Sequence, residues 1–79
     1  MRLDKFLKVS RLIKRRTVAK EMAEAGRIRV NGKPAKPGFE VSVGDLLEIG
    51  FGENATKAEI LEIRETVKAE ESKNLYRIL

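Results

Sequence analysis

The stretch GRIRVNGK, residues 26–33, carries the strongest local structural signal in the chain. Ile28 and Val30 alternate with two arginines, which is the two-residue period of a half-buried strand. Asn31-Gly32 follows directly, and this dipeptide is the strongest two-residue signal for a β-hairpin. The sequence therefore predicts two antiparallel strands joined at residues 31–32.

The segment before this hairpin has the period of a helix. Its apolar stripe consists of Leu3, Phe6, Leu7 and, by way of Ser10, Ile13, at spacings that place one face toward a core. Leu12 would fall among the basic residues of the opposite face, so we expect the helix to end near residues 11–12 and Ile13 to turn back inward. Residues 14–16 then form a basic connection.

A second helix is predicted between this connection and the hairpin. Thr17 is expected to act as its N-cap, and Val18, Met22 and Ala25 are expected to form its inward stripe. Gly26 suits the left-handed position that ends a helix. Residues 3–25 therefore form a predicted helical hairpin.

The rest of the chain predicts a small sheet and a short terminal helix. Pro34, Pro37 and Gly38 limit the return strand, and Gly44-Asp45 turns into a strand over residues 46–51. Residues 52–56 are expected to form a loop, residues 58–63 a further strand, and residues 66–79 a helix or tail. The predicted fold class is α+β: one domain, residues 1–79, with a two-helix hairpin packed on a small antiparallel β-sheet and a short C-terminal helix.

The composition limits the possible functions. The chain has 79 residues with no cysteine and no histidine, which removes thiolate zinc sites, disulfides and the most common general base. We therefore expect that the protein is not an enzyme and binds no cofactor. No apolar run approaches the roughly 20 residues needed to span a bilayer, so we expect a cytoplasmic protein without a membrane partner.

The charge is concentrated in the first half of the chain. The first 36 residues hold twelve Lys and Arg against three acids, whereas the last 43 hold five against nine. Eight of these cations lie within the first twenty residues: Arg2, Lys5, Lys8, Arg11, Lys14, Arg15, Arg16 and Lys20. Such a cluster can be a solvated face that maintains solubility. However, a self-repelling run of cations with few acidic neighbours favours a function in binding a polyanion, and nucleic acid in particular.

Three further features bear on this surface. Asp4 is the one acid within it; we expect it to favour the helix N-terminus in preference to orienting a neighbouring arginine. Arg27 and Arg29 point together, either to guard an edge strand against aggregation or to contact phosphate. No aromatic residue lies in a basic strand pattern that would stack unpaired bases, so we expect binding to folded nucleic acid that presents its backbone.

This ordered series of elements resembles a known family. It comprises RLDKFL at residues 2–7, KRRT at 14–17, GRIRVNGK at 26–33 and Gly44-Asp45 before an apolar strand. The pattern is similar to the S-four RNA-binding domain, named after a small-subunit ribosomal protein, over about residues 1–50. Within the family the chain looks most like the short stand-alone bacterial ribosome quality control members, which are related to the ribosome-associated heat-shock protein.

The resemblance implies a monomeric, non-catalytic ribosome factor. It would bind the large ribosomal subunit that still carries peptidyl-tRNA, contact large-subunit rRNA and tRNA, and support a partner tailing factor that extends the stalled chain without a template. By position, the implied RNA-contacting residues are Arg2, Lys5, Arg11, Lys14, Arg15, Arg16 and Lys20, with Arg27 and Lys33 at the margin and Asp4 shaping the surface.

Two other functions remain open at this point. In a DNA-binding helix-turn-helix protein, residues 17–25 would enter the major groove, although Glu21 and Glu24 would bring negative charge close to phosphates. In a protein-interaction adaptor, the acidic and apolar segment 66–79 would hold another protein, and this role is compatible with RNA binding.

Overall fold

A computed structural model describes residues 1–79 and contains two α-helices and a five-stranded sheet. The helices are α1 (Leu3–Val9) and α2 (Arg16–Glu24). The strands are β1 (Ile28–Val30), β2 (Lys33–Pro34), β3 (Leu46–Ile49), β4 (Thr56–Ile60) and β5 (Tyr76–Ile78). They pair antiparallel in the order β2-β1-β3-β4-β5, which confirms the predicted α+β class.

The core lies between the helix pair and one face of the sheet. Leu3, Phe6 and Leu7 of α1 are fully buried, as their helical spacing predicts, and they belong to one cluster with Ile28 and Leu47 of the sheet. Burial of each such side chain contributes about 1.5–3 kcal/mol. The core therefore fixes the orientation of α1, whose other faces carry the charged residues.

The predicted β-hairpin forms at Asn31-Gly32. Both residues have positive φ, 52° and 84°, and Val30 pairs with Lys33 across the turn. The Asn31 side chain also ties the turn to the sheet, because its Oδ1 accepts from the Leu46 backbone N–H at 3.0 Å and its Nδ2 donates to Asp45 at 3.1 Å.

The first helix ends earlier than predicted, at Val9. Arg11, two residues later, adopts a positive φ of 61°. The Ile13 N–H then donates to the Leu7 carbonyl at 3.1 Å. This reversal turns Ile13 into the core, so the inward turn at this residue is confirmed.

One prediction for α2 is wrong, and a second holds only in part. Arg15 is the N-cap residue, with φ −122° and ψ 133°, while Thr17 lies inside the helix, and no side chain caps the N-terminus. Ala19 and Ala23 are buried, and Met22 is partly buried against the core as predicted, whereas Val18 is 39% exposed and Ala25 is also exposed. Small side chains let α2 approach its neighbours closely, so two alanines that the sequence pattern did not single out form most of its inward face.

The predicted C-terminal helix is a 3₁₀ helix, Ala69–Leu75, and it is followed by β5, a strand that the sequence did not predict. Leu75 is fully buried, and its carbonyl accepts from the Leu61 backbone N–H at 2.8 Å. A second 3₁₀ turn, Gly52–Asn54, occupies the predicted loop. Because Leu75 is buried, the C-terminal segment is part of the core.

The edge-strand interpretation of β1 is wrong, because β1 lies between β2 and β3, and the edges of the sheet are β2 and β5. Arg29 consequently projects from an interior strand, opposite Glu48. None of the helices is both long and apolar enough to cross a lipid bilayer.

Candidate nucleic-acid interface

The first turn of α1 is fixed by a loop that follows the hairpin. The Leu3 N–H donates to the Phe39 carbonyl at 2.7 Å, and the Asp4 N–H donates to the Pro37 carbonyl at 3.1 Å. These carbonyls satisfy N–H groups that have no partner within a helix. The loop thus sets the direction in which Arg2 and Asp4 leave the backbone.

Asp4 is the centre of a cluster of cations. Its residue is only 2% exposed, and its carboxylate accepts from Arg2 Nε at 3.1 Å and from Arg16 Nη2 at 3.4 Å. It also accepts from the Lys5 backbone N–H at 2.9 Å. The preferred interpretation of Asp4 as a helix-terminus residue was therefore incomplete, because this carboxylate orients two arginines.

The charge state of Asp4 follows from these contacts. Burial by itself would raise the pKa of this carboxyl, but the hydrogen bonds and positive charges of Arg2 and Arg16 outweigh it and hold the pKa below its usual value. Asp4 therefore stays ionised at neutral pH, and two guanidinium groups remain attached to one fixed anion.

These residues line an open cleft of about 320 Å³, which we call the basic cleft: Arg2, Asp4, Arg16, Thr17 and Lys20. The Arg2 side chain is 54% exposed and the Arg16 side chain 47% exposed. Each arginine thus offers part of its guanidinium to solvent while Asp4 holds the rest. Because guanidinium forks match phosphate oxygens, the cleft has the chemistry of a phosphate site.

Lys5 lies on α1 but is already paired. Its ammonium forms an ion pair with Glu65, which comes from the segment between β4 and the 3₁₀ helix. The hydrogen bond and charge of Lys5 lower the pKa of Glu65. A phosphate that contacts Lys5 has to compete with this carboxylate.

The other expected contact residues are distributed over several places. Lys14 and Arg15 are exposed in the connection between the helices, and Arg11 lines a second depression with Lys8 and Glu65. Lys33 lies on the edge strand β2. The structure thus gathers Arg2, Arg16 and Lys20 in one cleft and leaves the remaining expected residues outside it.

Two features escaped the sequence analysis. Thr17 contributes to the basic cleft, although its position suggested a cap. The Arg27 guanidinium carbon lies 5.4 Å from the centroid of the Phe51 ring, so a basic-aromatic pair does exist. The sequence carries no local signal for this pair, because Arg27 and Phe51 are 24 positions apart. They come together only through the pairing of β1 with β3.

The fold and the basic cleft together define a small α+β module in which a helix pair displays arginines fixed by a buried acid. The chain belongs to the S4 domain family, since the model of the S4 domain matches residues 1–47. This match confirms the S-four resemblance seen in the sequence.

Relatives over the whole chain share one description. The chain is 54% identical to the "RQC P-site tRNA stabilizing factor" of Bacillus subtilis, covering all of this chain and 92% of the relative. It is 60% identical to the protein of the same description from Listeria innocua, again over all of this chain and 86% of the relative. The high identity over full length extends the similarity beyond the family motif.

A solved structure resembles the whole fold as well. The heat shock protein 15 of Vibrio cholerae, described as trimeric, superposes with a TM-score of 0.90 at 34% identity, covering 100% of this chain and 81% of that one. The fold observed here is therefore shared, over all residues of this chain, with a structurally characterised relative.

Proposed function

We propose that this protein is a non-catalytic RNA-binding factor of ribosome-associated quality control that stabilises tRNA on the ribosome. The observation that carries the proposal is the attachment of Arg2 and Arg16 to the buried Asp4 carboxylate. Support also comes from relatives at 54% and 60% identity that are described as RQC P-site tRNA stabilizing factors.

The anchored arginines suit binding of a rigid phosphate backbone. A free arginine loses about 2 kcal/mol of rotamer entropy when it is immobilised, whereas Arg2 and Arg16 are already restrained before RNA arrives. The protein would thus act by positioning its ligand. Phosphate contacts of this kind fix register and orientation on a nucleic acid.

In the finer form of the proposal, the ligand is the large ribosomal subunit that carries stalled peptidyl-tRNA. The protein contacts large-subunit rRNA and tRNA together, and a tailing factor extends the stalled chain on the complex that it stabilises. The contact surface is the set of cations inferred from the sequence: Arg2, Lys5, Arg11, Lys14, Arg15, Arg16, Lys20, Arg27 and Lys33.

The DNA-binding alternative is less compatible with the charges on α2. Glu21 and Glu24 are both exposed on this helix, so a helix inserted in the major groove would place two carboxylates between phosphate strands. RNA contact through the N-terminal half of α2, where Arg16 and Lys20 lie, avoids this repulsion.

Co-sedimentation from a cell lysate, with sequencing of the RNA that travels with the tagged protein, tests the proposal. We expect recovery with free large subunits enriched in tRNA, and loss of this recovery in the Arg2→Ala/Arg16→Ala double variant. Lys73→Ala serves as the control, because Lys73 is exposed and distant in sequence from the cleft. Recovery with small subunits or with DNA would refute the proposed role on the large subunit.

A further inference from the structure

A third depression lies on α2, beside the residues that line the basic cleft. Val18 and Met22 follow Arg16 and Lys20 by two positions each, a rotation of about 200° around a helix. They line an open groove of about 410 Å³ with Glu21, Ala25 and Arg27, which we call the α2 groove. Its walls are largely aliphatic, and its two charged residues are Glu21 and Arg27.

Arg27 joins this groove to an exposed aromatic ring. Its guanidinium lies over Phe51 at 5.4 Å from the ring centroid, yet Phe51 remains 60% exposed. The Gly50 N–H donates to the Arg27 carbonyl at 2.8 Å, so the backbones that carry both side chains are held together. Part of the aromatic ring is therefore open to solvent beside the Arg27 guanidinium.

We propose that the Arg27–Phe51 pair and the adjoining α2 groove form a binding site for one unpaired nucleobase of the bound RNA. The inference rests on the proposed RNA-binding function and adds a base-dependent contact to it. Aromatic rings and arginine planes are the side-chain groups on which unpaired bases stack. The proposed site differs from the sequence-based expectation of a nucleic acid that presents only its backbone.

The chemistry of the groove also indicates which bases fit. Glu21 supplies a carboxylate acceptor beside the aliphatic walls, and a carboxylate accepts hydrogen bonds from amino groups of bases. It repels phosphate at the same time, so the sugar-phosphate backbone stays outside the groove. The site therefore favours guanine, cytosine or adenine, which carry an exocyclic amino group, over uracil.

The absence of tryptophan from the chain permits a direct test. In a Phe51→Trp variant, a stacked base quenches the only indole fluorescence. The probes are the four-nucleotide RNAs GAGA, CACA and UUUU and an abasic ribose-phosphate tetramer, titrated at fixed salt. We expect quenching by GAGA and CACA, weaker quenching by UUUU and none by the abasic tetramer. Equal quenching by all four probes overturns the proposal.

Matched variants separate the site from general charge. Arg27→Ala in the Phe51→Trp background should weaken GAGA binding about fivefold or more. Arg29→Ala, which removes an exposed cation of β1, should not weaken it. Glu21→Ala should reduce the preference for GAGA over UUUU, and Glu24→Ala should leave it unchanged. Equal effects within either pair overturn the inference.

The remaining outcomes distinguish this site from the proposed function. If large subunits still bind with the expected salt dependence but no probe quenches the indole, the nucleobase site is refuted and the function stands. If neither binding occurs, both fail. If Val18→Asp weakens ribosome association but leaves GAGA binding intact, the groove makes a different contact with the ribosome, and its assignment to a nucleobase is again overturned. If Phe51→Trp does not fold, Phe51→Leu is used in its place, and its binding of GAGA is measured by competition with the native protein.

Discussion

Arg16 Nη2 lies 3.4 Å from Asp4 Oδ1, across twelve positions of sequence. This contact fixes the first residue of α2 to the first turn of α1. Because Arg2 donates to the same carboxylate, one buried acid sets the spacing of two cations on different elements. The helix pair and the basic cleft are therefore specified by the same residue.

Replacement of Asp4 should destabilise the fold and weaken RNA binding together. Asp4→Asn keeps the shape of the side chain but removes its charge, and loss of hydrogen bonds between charged groups costs about 1–3 kcal/mol. We expect a decrease of this size in the free energy of unfolding, measured in urea. Glu40→Gln is the control, since the Glu40 side chain is 85% exposed and its loss should cost under about 1 kcal/mol. Equal losses in the two variants would refute the anchoring role.

The contribution of Asp4 should also depend on pH. Its pKa is lowered in the folded protein, so it adds stability above the unfolded pKa of about 4 and loses this contribution as the pH falls through the folded value. The difference in unfolding free energy between the native protein and Asp4→Asn should therefore shrink below about pH 4. A difference that stays constant from neutral to acid pH would contradict the assigned ion pairs.

Removal of Glu65 should release Lys5 for RNA. In Glu65→Gln the lysine no longer has an ionised partner, so we expect tighter RNA binding. The slope of log K against log salt should steepen by about 0.7–0.9 if one phosphate contact is gained. Glu53→Gln changes the net charge equally without freeing a paired cation, because no salt bridge involves Glu53. Identical slopes for the two variants would show that Lys5 does not reach phosphate.

The C-terminal segment should prove essential to folding. Leu75→Ala removes a fully buried side chain, so the free energy of unfolding should fall by about 2–5 kcal/mol. Leu61→Ala is the matched control, since Leu61 is 41% exposed and should cost much less. Similar losses would contradict the packing described here.

Local patterns predicted those parts of the fold that depend on neighbouring residues. The stripe of Leu3, Phe6 and Leu7 and the Asn31-Gly32 turn are confirmed, because helical period and turn chemistry act over a few positions. Strand β5 was missed, since three residues, Tyr76–Ile78, become a strand only by pairing with β4. Ala19 and Ala23 were passed over because burial of small residues depends on how closely the helices approach.

The site was predictable in its charge but not in its geometry. The dense cations of the first twenty residues indicated a polyanion surface. Their grouping depends on which side chain meets Asp4, Glu65 or Phe51, and these partners come from distant positions. Sequence reasoning therefore identified the cations of the cleft without showing that Arg2 and Arg16 are held in place while Lys5 is neutralised.

Whether the basic cleft binds ribosomal RNA or tRNA can be measured from the salt dependence of binding to purified large ribosomal subunits that carry peptidyl-tRNA. Native protein and Arg16→Ala are compared, with Lys73→Ala as the control. We predict weaker binding by Arg16→Ala and a salt slope that is shallower by about 0.7–0.9, the change expected for one lost phosphate contact. If Arg16→Ala remains folded and binds with the affinity and slope of the control, the basic cleft does not bind ribosomal RNA or tRNA.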